Sequence, residues 1–245
     1  MNDKIKIYES LLQERDALEK DCFHYSLEYA REFGKDIETL FELKVEVITL
    51  KKKIAYCVKK KYRNEKIYID ELDKYIDEEI MDYQRRLEEL IEFNKNASRK
   101  GKVITFEDNK KIKKLYYEIA HLIHPDLHPE YDEDEEIIEL WDKAVEAYKC
   151  NNYKLLVETY DQIIIKVKDG DFEIENIDGK IESVKSEIDE IKQSEPYVYK
   201  FLLNDDLEIK EFHKKLEQET KDYQEYKDSL EKELSKFIIK EGRDA

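Results

Sequence analysis

Apolar residues recur in alternating steps of three and four between residues 40 and 57, and this spacing constrains the fold more than any other feature. The positions are Leu40, Leu43, Val47, Leu50, Ile54 and Cys57. A seven-residue apolar repeat forms one stripe along an α-helix, and such a stripe is buried against another helix. The sequence therefore predicts helices that pair along narrow seams.

Three further stretches follow nearly the same spacing, namely 69–90, 177–191 and 209–237. Glycine and proline, the residues that most often form turns and sheet corners, number only 5 and 3 among 245 residues. Few loops are therefore expected between the helices. Together these observations predict an all-α fold.

The seams divide the chain into three consecutive segments. Residues 1–98 are expected to form an N-terminal helical hairpin or coiled coil, in which Gly34 interrupts or kinks the first helix. Residues 164–245 are expected to form a C-terminal antiparallel coiled-coil hairpin. Its first part, 165–176, alternates apolar and polar residues, which fits a short strand pair or a loop. The segment 103–163 differs from both.

Charge and cysteine content narrow the function classes. The net charge of −17 disfavours binding to nucleic acid, whose phosphate backbone is also negative. No apolar run approaches the ~20 residues of a membrane span, and the N-terminus lacks the apolar core of a signal peptide. The three cysteines, Cys22, Cys57 and Cys150, are odd in number and far apart, which fits a reducing compartment. We therefore expect a cytoplasmic protein without membrane or nucleic-acid partners.

Catalytic signatures do not stand out in the sequence. There is no glycine-rich phosphate loop and no nucleophile with a credible neighbouring base. Paired carboxylates carry no information in a chain with 61 acidic residues. The sequence predicts a protein that is not an enzyme and that uses no cofactor.

The stretch IAHLIHPDLHPEY, residues 119–131, is the exception to the helical rhythm, since it holds two of the three prolines and three of the five histidines. Pro125 must end the preceding helix, because a residue before proline is driven out of the helical conformation. We predict a helix over 106–123 and a second helix that begins among the acidic residues 132–136. Two such helices, each with an apolar face, would form a hairpin with His124, Pro125 and Asp126 at its tip.

The order LYYEIAHLIHPD, an acidic spacer and then ELWDKAVEAY resembles a J domain, the DnaJ-type co-chaperone module. Tyr116 and Ala120 match the tyrosine and alanine that are usual in that family. Trp141 stands at the usual phenylalanine position, and Ala147 with Tyr148 matches an Ala-Tyr pair. The resemblance covers about 60 residues by our reading of the motif. It implies a helical hairpin whose His-Pro-Asp tripeptide stimulates ATP hydrolysis by a DnaK-type heat-shock chaperone.

The resemblance also implies roles for individual residues. Asp126 would be the principal contact, meeting a basic residue of the chaperone's ATPase domain, while His124 and Pro125 would shape the loop and pack at the interface. Leu127 follows the tripeptide where lysine is usual in the family. Four lysines of the preceding helix would supply a positive patch for the chaperone. Alternatively, they are only a solvated face of the helix. These lysines are Lys110, Lys111, Lys113 and Lys114.

Two functional hypotheses follow. In the first, the chain is a J-domain co-chaperone that recruits a DnaK-type chaperone, and its coiled coils select an unidentified client protein or a location. The heptads also allow a homo-oligomer. In the second, the chain is a non-catalytic coiled-coil scaffold whose central hairpin is degenerate. A working loop would leave Asp126 and the four lysines in solvent, whereas a degenerate one would bury them.

A metal site is the remaining interpretation of the histidine-rich stretch. His121 and His124 are near each other by helical spacing, and Asp126 and His128 could complete a set of ligands. Pro125 separates these side chains, and no pattern of supporting residues is visible. We therefore predict no metal, with His128 and Pro129 continuing the turn.

Overall fold

The computed structural model describes residues 2–97, 105–167 and 176–241. These residues form helices and no strand, which confirms the all-α prediction. No helix within these ranges has both the length and the apolar character that crossing a bilayer requires. The helices are α1 (Asn2–Tyr62), α2 (Ile69–Ala97), α3 (Phe106–Ile123), a 3₁₀ turn (Pro129–Tyr131), α4 (Glu135–Lys149), α5 (Tyr153–Lys166), α6 (Ile177–Gln193), α7 (Tyr199–Leu203) and α8 (Asp206–Glu241).

The chain divides into two units, whereas the sequence predicted three consecutive segments. The first unit comprises residues 1–28 and 99–202, and the second comprises residues 29–98 and 203–245. Helix α1 contributes its first turns to the first unit and the remainder to the second.

The second unit is built on the apolar seams that the sequence indicates. Helices α1, α2 and α8 share one apolar core, so this part of the fold is a three-helix arrangement. Its buried members are Val47, Ile54, Cys57, Leu72, Ile76, Ile80, Leu230 and Leu234. Seven of the eight lie at predicted seam positions, and Leu234 lies between the seam positions Leu230 and Phe237. The predicted seam residues Ile69 and Tyr226 are exposed, so the seams are confirmed only in part.

Gly34 does not break helix α1, which continues through it to Tyr62. The expected interruption of the helix at this glycine was therefore wrong. Its role is to let helix α2 approach, because a Cβ atom at this position would lie 2.7 Å from Asn94 Oδ1. The Asn94 side-chain amide donates a 2.9 Å hydrogen bond to the Gly34 carbonyl. A residue with a side chain would push Asn94 away from this backbone acceptor.

The first unit has a core formed by helices α3, α4 and α5. Helix α5, which the sequence reading did not identify, completes this core with Leu156 and Ile163, both fully buried. Most of the 165–176 stretch, where a strand pair or a loop was expected, lies outside the described residues.

A second cluster in the same unit joins the start of α1, helix α6 and the loop after α3. Ile181, Val184 and Ile188 of α6 are buried there, which confirms the apolar seam of this helix. Tyr8 and Leu12 pack against it from α1. The antiparallel pairing that the sequence predicts for the last two seams stays a prediction.

Candidate partner-binding site

The loop that carries the tripeptide is defined by how helix α3 starts and stops. The Thr105 hydroxyl caps the start by accepting the backbone N–H of Asp108 over 3.1 Å. The helix ends at Ile123, and His124 is extended, with φ −60° and ψ 126°. Pro125 forces this conformation on the residue before it. Both ends agree with the sequence prediction.

Helices α3 and α4 pack on each other through aromatic side chains, and we call them, with the connecting residues 124–134, the central hairpin. Tyr116 stacks on Tyr148, with ring centroids 4.0 Å apart, and the His124 ring lies 4.7 Å from that of Trp141. The contact at the C-terminal end of α3 thus involves a residue nearer the N-terminal end of α4 than the contact at the middle of α3 does. Asp134 caps α4 by accepting two backbone N–H groups at its start.

His124 is a structural part of the loop, since only 2% of its surface is exposed. Its Nδ1 accepts the backbone N–H of Asp126 over 3.0 Å. A neutral ring that accepts at Nδ1 carries its proton on Nε2. The Nε2 atom lies 3.7 Å from Asp16 Oδ2 and 3.3 Å from Arg15 Nη2. Arginine only donates, so the contact with Arg15 is a packing contact and the Nε2 proton faces Asp16.

Asp126 is held by a residue from helix α1. Arg15 Nη1 donates to Asp126 Oδ2 over 3.1 Å, and the same nitrogen donates to Glu187 of α6 over 3.2 Å. The Asp126 side chain is nevertheless 41% exposed, while that of Arg15 is 16% exposed. Pro125 is exposed beside it. The loop therefore presents a proline and part of a carboxylate to solvent, with one carboxylate oxygen already paired.

Asp16 forms the buried polar centre beneath the loop. Its Oδ2 accepts a 2.9 Å hydrogen bond from the Tyr116 hydroxyl, and its Oδ1 lies 3.5 Å from Arg15 Nη2. Burial alone would raise the pKa of the Asp16 carboxyl, but His124, Arg15 and Tyr116 together hold it below its usual value. Burial and the Asp16 charge raise the pKa of the Tyr116 hydroxyl, which stays a donor.

Leu127, which stands where the J-domain family usually has lysine, is buried in the cluster formed by α1 and α6. A lysine at this position would place a charge among Tyr8, Leu12 and Ile181. Leu127 thus has a packing role. It anchors the loop to the elements that flank the hairpin.

The four lysines predicted for the positive patch are all exposed on α3. Two have weak ion pairs within the helix, Lys111 with Asp108 at 3.5 Å and Lys114 with Glu118 at 3.7 Å. Such exposed pairs contribute little and leave the cations accessible. The patch consists of Lys110, Lys111, Lys113 and Lys114.

Lys20 of α1 adds a buried amine beside this helix. Its Nζ lies 4.0 Å from the centre of the Tyr148 ring and donates to Asn109 Oδ1 over 3.3 Å. Burial lowers the pKa of Lys20 to about 8, with a smaller contribution from the charge of Lys113. The group is therefore close to losing its proton under mildly alkaline conditions.

The remaining histidines of the stretch have protein partners. His121 Nδ1 lies 2.9 Å from Glu9 Oε1, and His128 contacts Glu130 Oε1 and the His121 carbonyl at 2.9 and 2.7 Å. Within the described ranges, no group of three or more His, Cys, Asp or Glu side chains is arranged to hold a metal ion.

Three residues of this site were missed by the sequence analysis, namely Arg15, Asp16 and Glu187. They lie 111, 100 and 172 positions from the residues of the site that they contact. Arg15 did leave a signal, because it interrupts the apolar spacing of Leu11, Leu18, Cys22 and Tyr25 near the start of the chain. A charged residue at a seam position, beside an aspartate, indicates a buried polar contact.

A scan against models of protein families finds no match to this chain, and searches of curated proteins and of solved structures also find none. The resemblance to J domains therefore stays a prediction from the sequence, based on the tripeptide and on the residues that flank it.

Proposed function

We propose that the protein is a J-domain co-chaperone that binds a DnaK-type heat-shock chaperone and stimulates its ATPase through His124, Pro125 and Asp126. In this proposal the coiled coils select the client protein or the location, with assembly into a homo-oligomer as a further role. The central hairpin supplies no catalytic group of its own. It acts by changing the rate of a reaction in its partner.

One observation carries the proposal. The tripeptide lies at the loop between two packed helices, and the helix that precedes it carries four exposed lysines. Pro125 and part of the Asp126 carboxylate face solvent beside them. A carboxylate next to a cationic helix is complementary to a partner surface that carries a cation beside acidic groups. Such complementarity raises the rate at which the two proteins associate.

His124 and Asp126 contribute differently in this arrangement. The buried His124 ring accepts the Asp126 backbone N–H, so it fixes the backbone from which the Asp126 side chain projects. Loss of that acceptor would reorient the loop without removing a charge. Asp126 itself would make the contact with the partner, and removing one member of a hydrogen-bonded charge pair that is buried on binding strongly weakens a complex.

The test is steady-state ATP hydrolysis by a DnaK-type chaperone with the full chain and its variants. We expect stimulation by the native chain and its loss in Asp126→Asn and His124→Gln. Asp132→Asn is the matched control, because Asp132 is an exposed aspartate of the same loop. Stimulation that survives Asp126→Asn would exclude this mechanism.

The lysine patch is tested separately by measuring binding at several salt concentrations. Lys110→Gln combined with Lys114→Gln should weaken binding and reduce its salt dependence. The matched pair is Lys210→Gln with Lys214→Gln, two exposed lysines at the same spacing on α8. Equal effects of the two pairs would show that general charge, not the patch, is responsible.

A second candidate function is a non-catalytic scaffold, and the pairing of Asp126 with Arg15 favours it. In a scaffold the loop would serve only to dock the hairpin onto α1 and α6. Under this alternative the native chain neither binds nor stimulates the chaperone, and Asp126→Asn affects only stability.

A further inference from the structure

The Asp126 carboxylate already has a cationic partner within the chain. Arg15 Nη1 donates to Asp126 Oδ2 over 3.1 Å. In the proposed function, the same carboxylate must meet a basic residue of the chaperone. Arg15 thus makes within the chain the kind of contact that the partner would have to make.

We propose that Arg15 is a determinant of chaperone affinity that lies outside the hairpin, where it competes with the partner's basic residue for Asp126. This inference rests on the proposed function. Binding then requires the exchange of one cation for another at Asp126. A stronger contact between Arg15 and Asp126 therefore lowers the apparent affinity of the loop for the chaperone.

Arg15 is suited to such an exchange because it does not depend on Asp126 alone. Its guanidinium also contacts Glu187 at 3.2 Å and Asp16 at 3.5 Å. When Asp126 turns to a partner, Arg15 keeps two carboxylates, so no uncompensated charge is left buried. Among the described residues, the buried Arg15 Nε has no hydrogen-bond partner. The present arrangement therefore leaves one donor of the Arg15 guanidinium unsatisfied.

The surface beside the loop offers a route for an incoming cation. A cleft of about 260 Å³ is lined by Asp126 and Arg15 and also by Trp141, Asp142 and Glu19. Lys149 also lines the cleft and pairs with Glu19 over 3.3 Å, so Asp142 and Asp126 are the acidic members that attract a basic side chain. The cleft leads to the carboxylate that Arg15 holds.

The competition predicts opposite effects for two substitutions. Arg15→Gln removes the competing cation while keeping a polar side chain of similar reach. We expect the concentration of the chain that gives half-maximal ATPase stimulation to fall about two- to fivefold, the value of a partly exposed ion pair. Glu187→Gln removes a carboxylate that shares Arg15 Nη1 with Asp126. This change should strengthen the hold on Asp126 and raise the half-maximal concentration.

A merely structural role of Arg15 would not produce this reversal of sign. The experiment titrates native, Arg15→Gln and Glu187→Gln full-length chains into a DnaK-type chaperone, and circular dichroism verifies the fold of each. If Arg15→Gln loses its fold, Glu187→Gln decides alone, because Glu187 is a partly exposed residue of the surface. Unchanged or weakened stimulation by a folded Arg15→Gln, or no effect of Glu187→Gln, overturns the competition while the co-chaperone function stands. Absence of both binding and stimulation by all three chains overturns the function and this inference together.

Discussion

The Tyr116 hydroxyl donates a 2.9 Å hydrogen bond to the buried carboxylate of Asp16, which links helix α3 to helix α1 within the first unit. Hydrogen bonds to charged groups contribute about 1.5–3 kcal/mol. Tyr116→Phe should therefore lower the free energy of unfolding by about 2 kcal/mol, measured by urea denaturation. The ring stacking on Tyr148 is retained in this variant.

The neighbouring tyrosine provides the control for that measurement. The Tyr117 hydroxyl donates to the neutral Gln13 carbonyl over 3.2 Å, and the side chain is only partly buried. Tyr117→Phe should cost about 1 kcal/mol or less. A larger loss for Tyr117→Phe than for Tyr116→Phe would contradict the importance of the Asp16 carboxylate.

Asp16 makes the stability of the first unit sensitive to acid. The pKa of its carboxyl is below the usual value in the folded chain, because His124, Arg15 and Tyr116 outweigh the effect of burial. A carboxyl with a lowered folded pKa stabilises the fold above its unfolded pKa, near 3.9, and the contribution fades as the pH falls through the folded pKa.

The variant Asp16→Asn tests this sign. At pH 7 it should be less stable than the native chain by about 3 kcal/mol, since it breaks a buried charge network. The difference between the two free energies of unfolding should narrow as the pH falls below about 4. A difference that stays constant between pH 7 and pH 3 would show that the charge of Asp16 does not contribute.

The all-α class and the bounds of α3 were predictable from local sequence, whereas helix α5, the division into two units and the buried part of the site were not. The bounds of α3 follow from Thr105 and Pro125, which act on adjacent residues, and the seams follow from the spacing of apolar residues. The roles of Asp16 and Arg15 in the site depend on contacts with residues more than 99 positions away in the sequence. A one-dimensional pattern can mark Arg15 as an interruption, but it cannot name Asp126 as the group that it pairs with.

Gly34 failed as a prediction for a related reason. Its helix propensity is the poorest after that of proline, so the local interpretation was a break in the helix. The close approach of Asn94, a residue 60 positions later, overrides that preference. Where one residue both weakens a helix and permits a neighbour to approach, the tertiary contact determines whether the helix continues through it.

Lys20 gives the first unit a second dependence on pH. Burial lowers the pKa of its amine from 10.5 to about 8 in the folded chain. Between pH 8 and pH 10.5 the unfolded chain therefore holds more protons at this site than the folded chain, so stability rises with pH. Lys20→Met retains the apolar stem and removes the titration. The stability of the native chain relative to this variant should increase between pH 7 and pH 9.5 in urea denaturation, and a flat difference would contradict the lowered pKa.

Gly34 and Asn94 should be strongly coupled in a double-mutant cycle, because a Cβ atom at Gly34 would lie 2.7 Å from Asn94 Oδ1. In the native background, Gly34→Ala gains about 1 kcal/mol of helix propensity but displaces Asn94 and its hydrogen bond, for a net loss of about 1 kcal/mol. In an Asn94→Ala background the obstacle is gone, and the same substitution should stabilise the second unit by about 1 kcal/mol. Urea denaturation of the four chains should therefore give a coupling of about 2 kcal/mol. Equal effects of Gly34→Ala in both backgrounds would mean that the glycine is not required by the approach of Asn94.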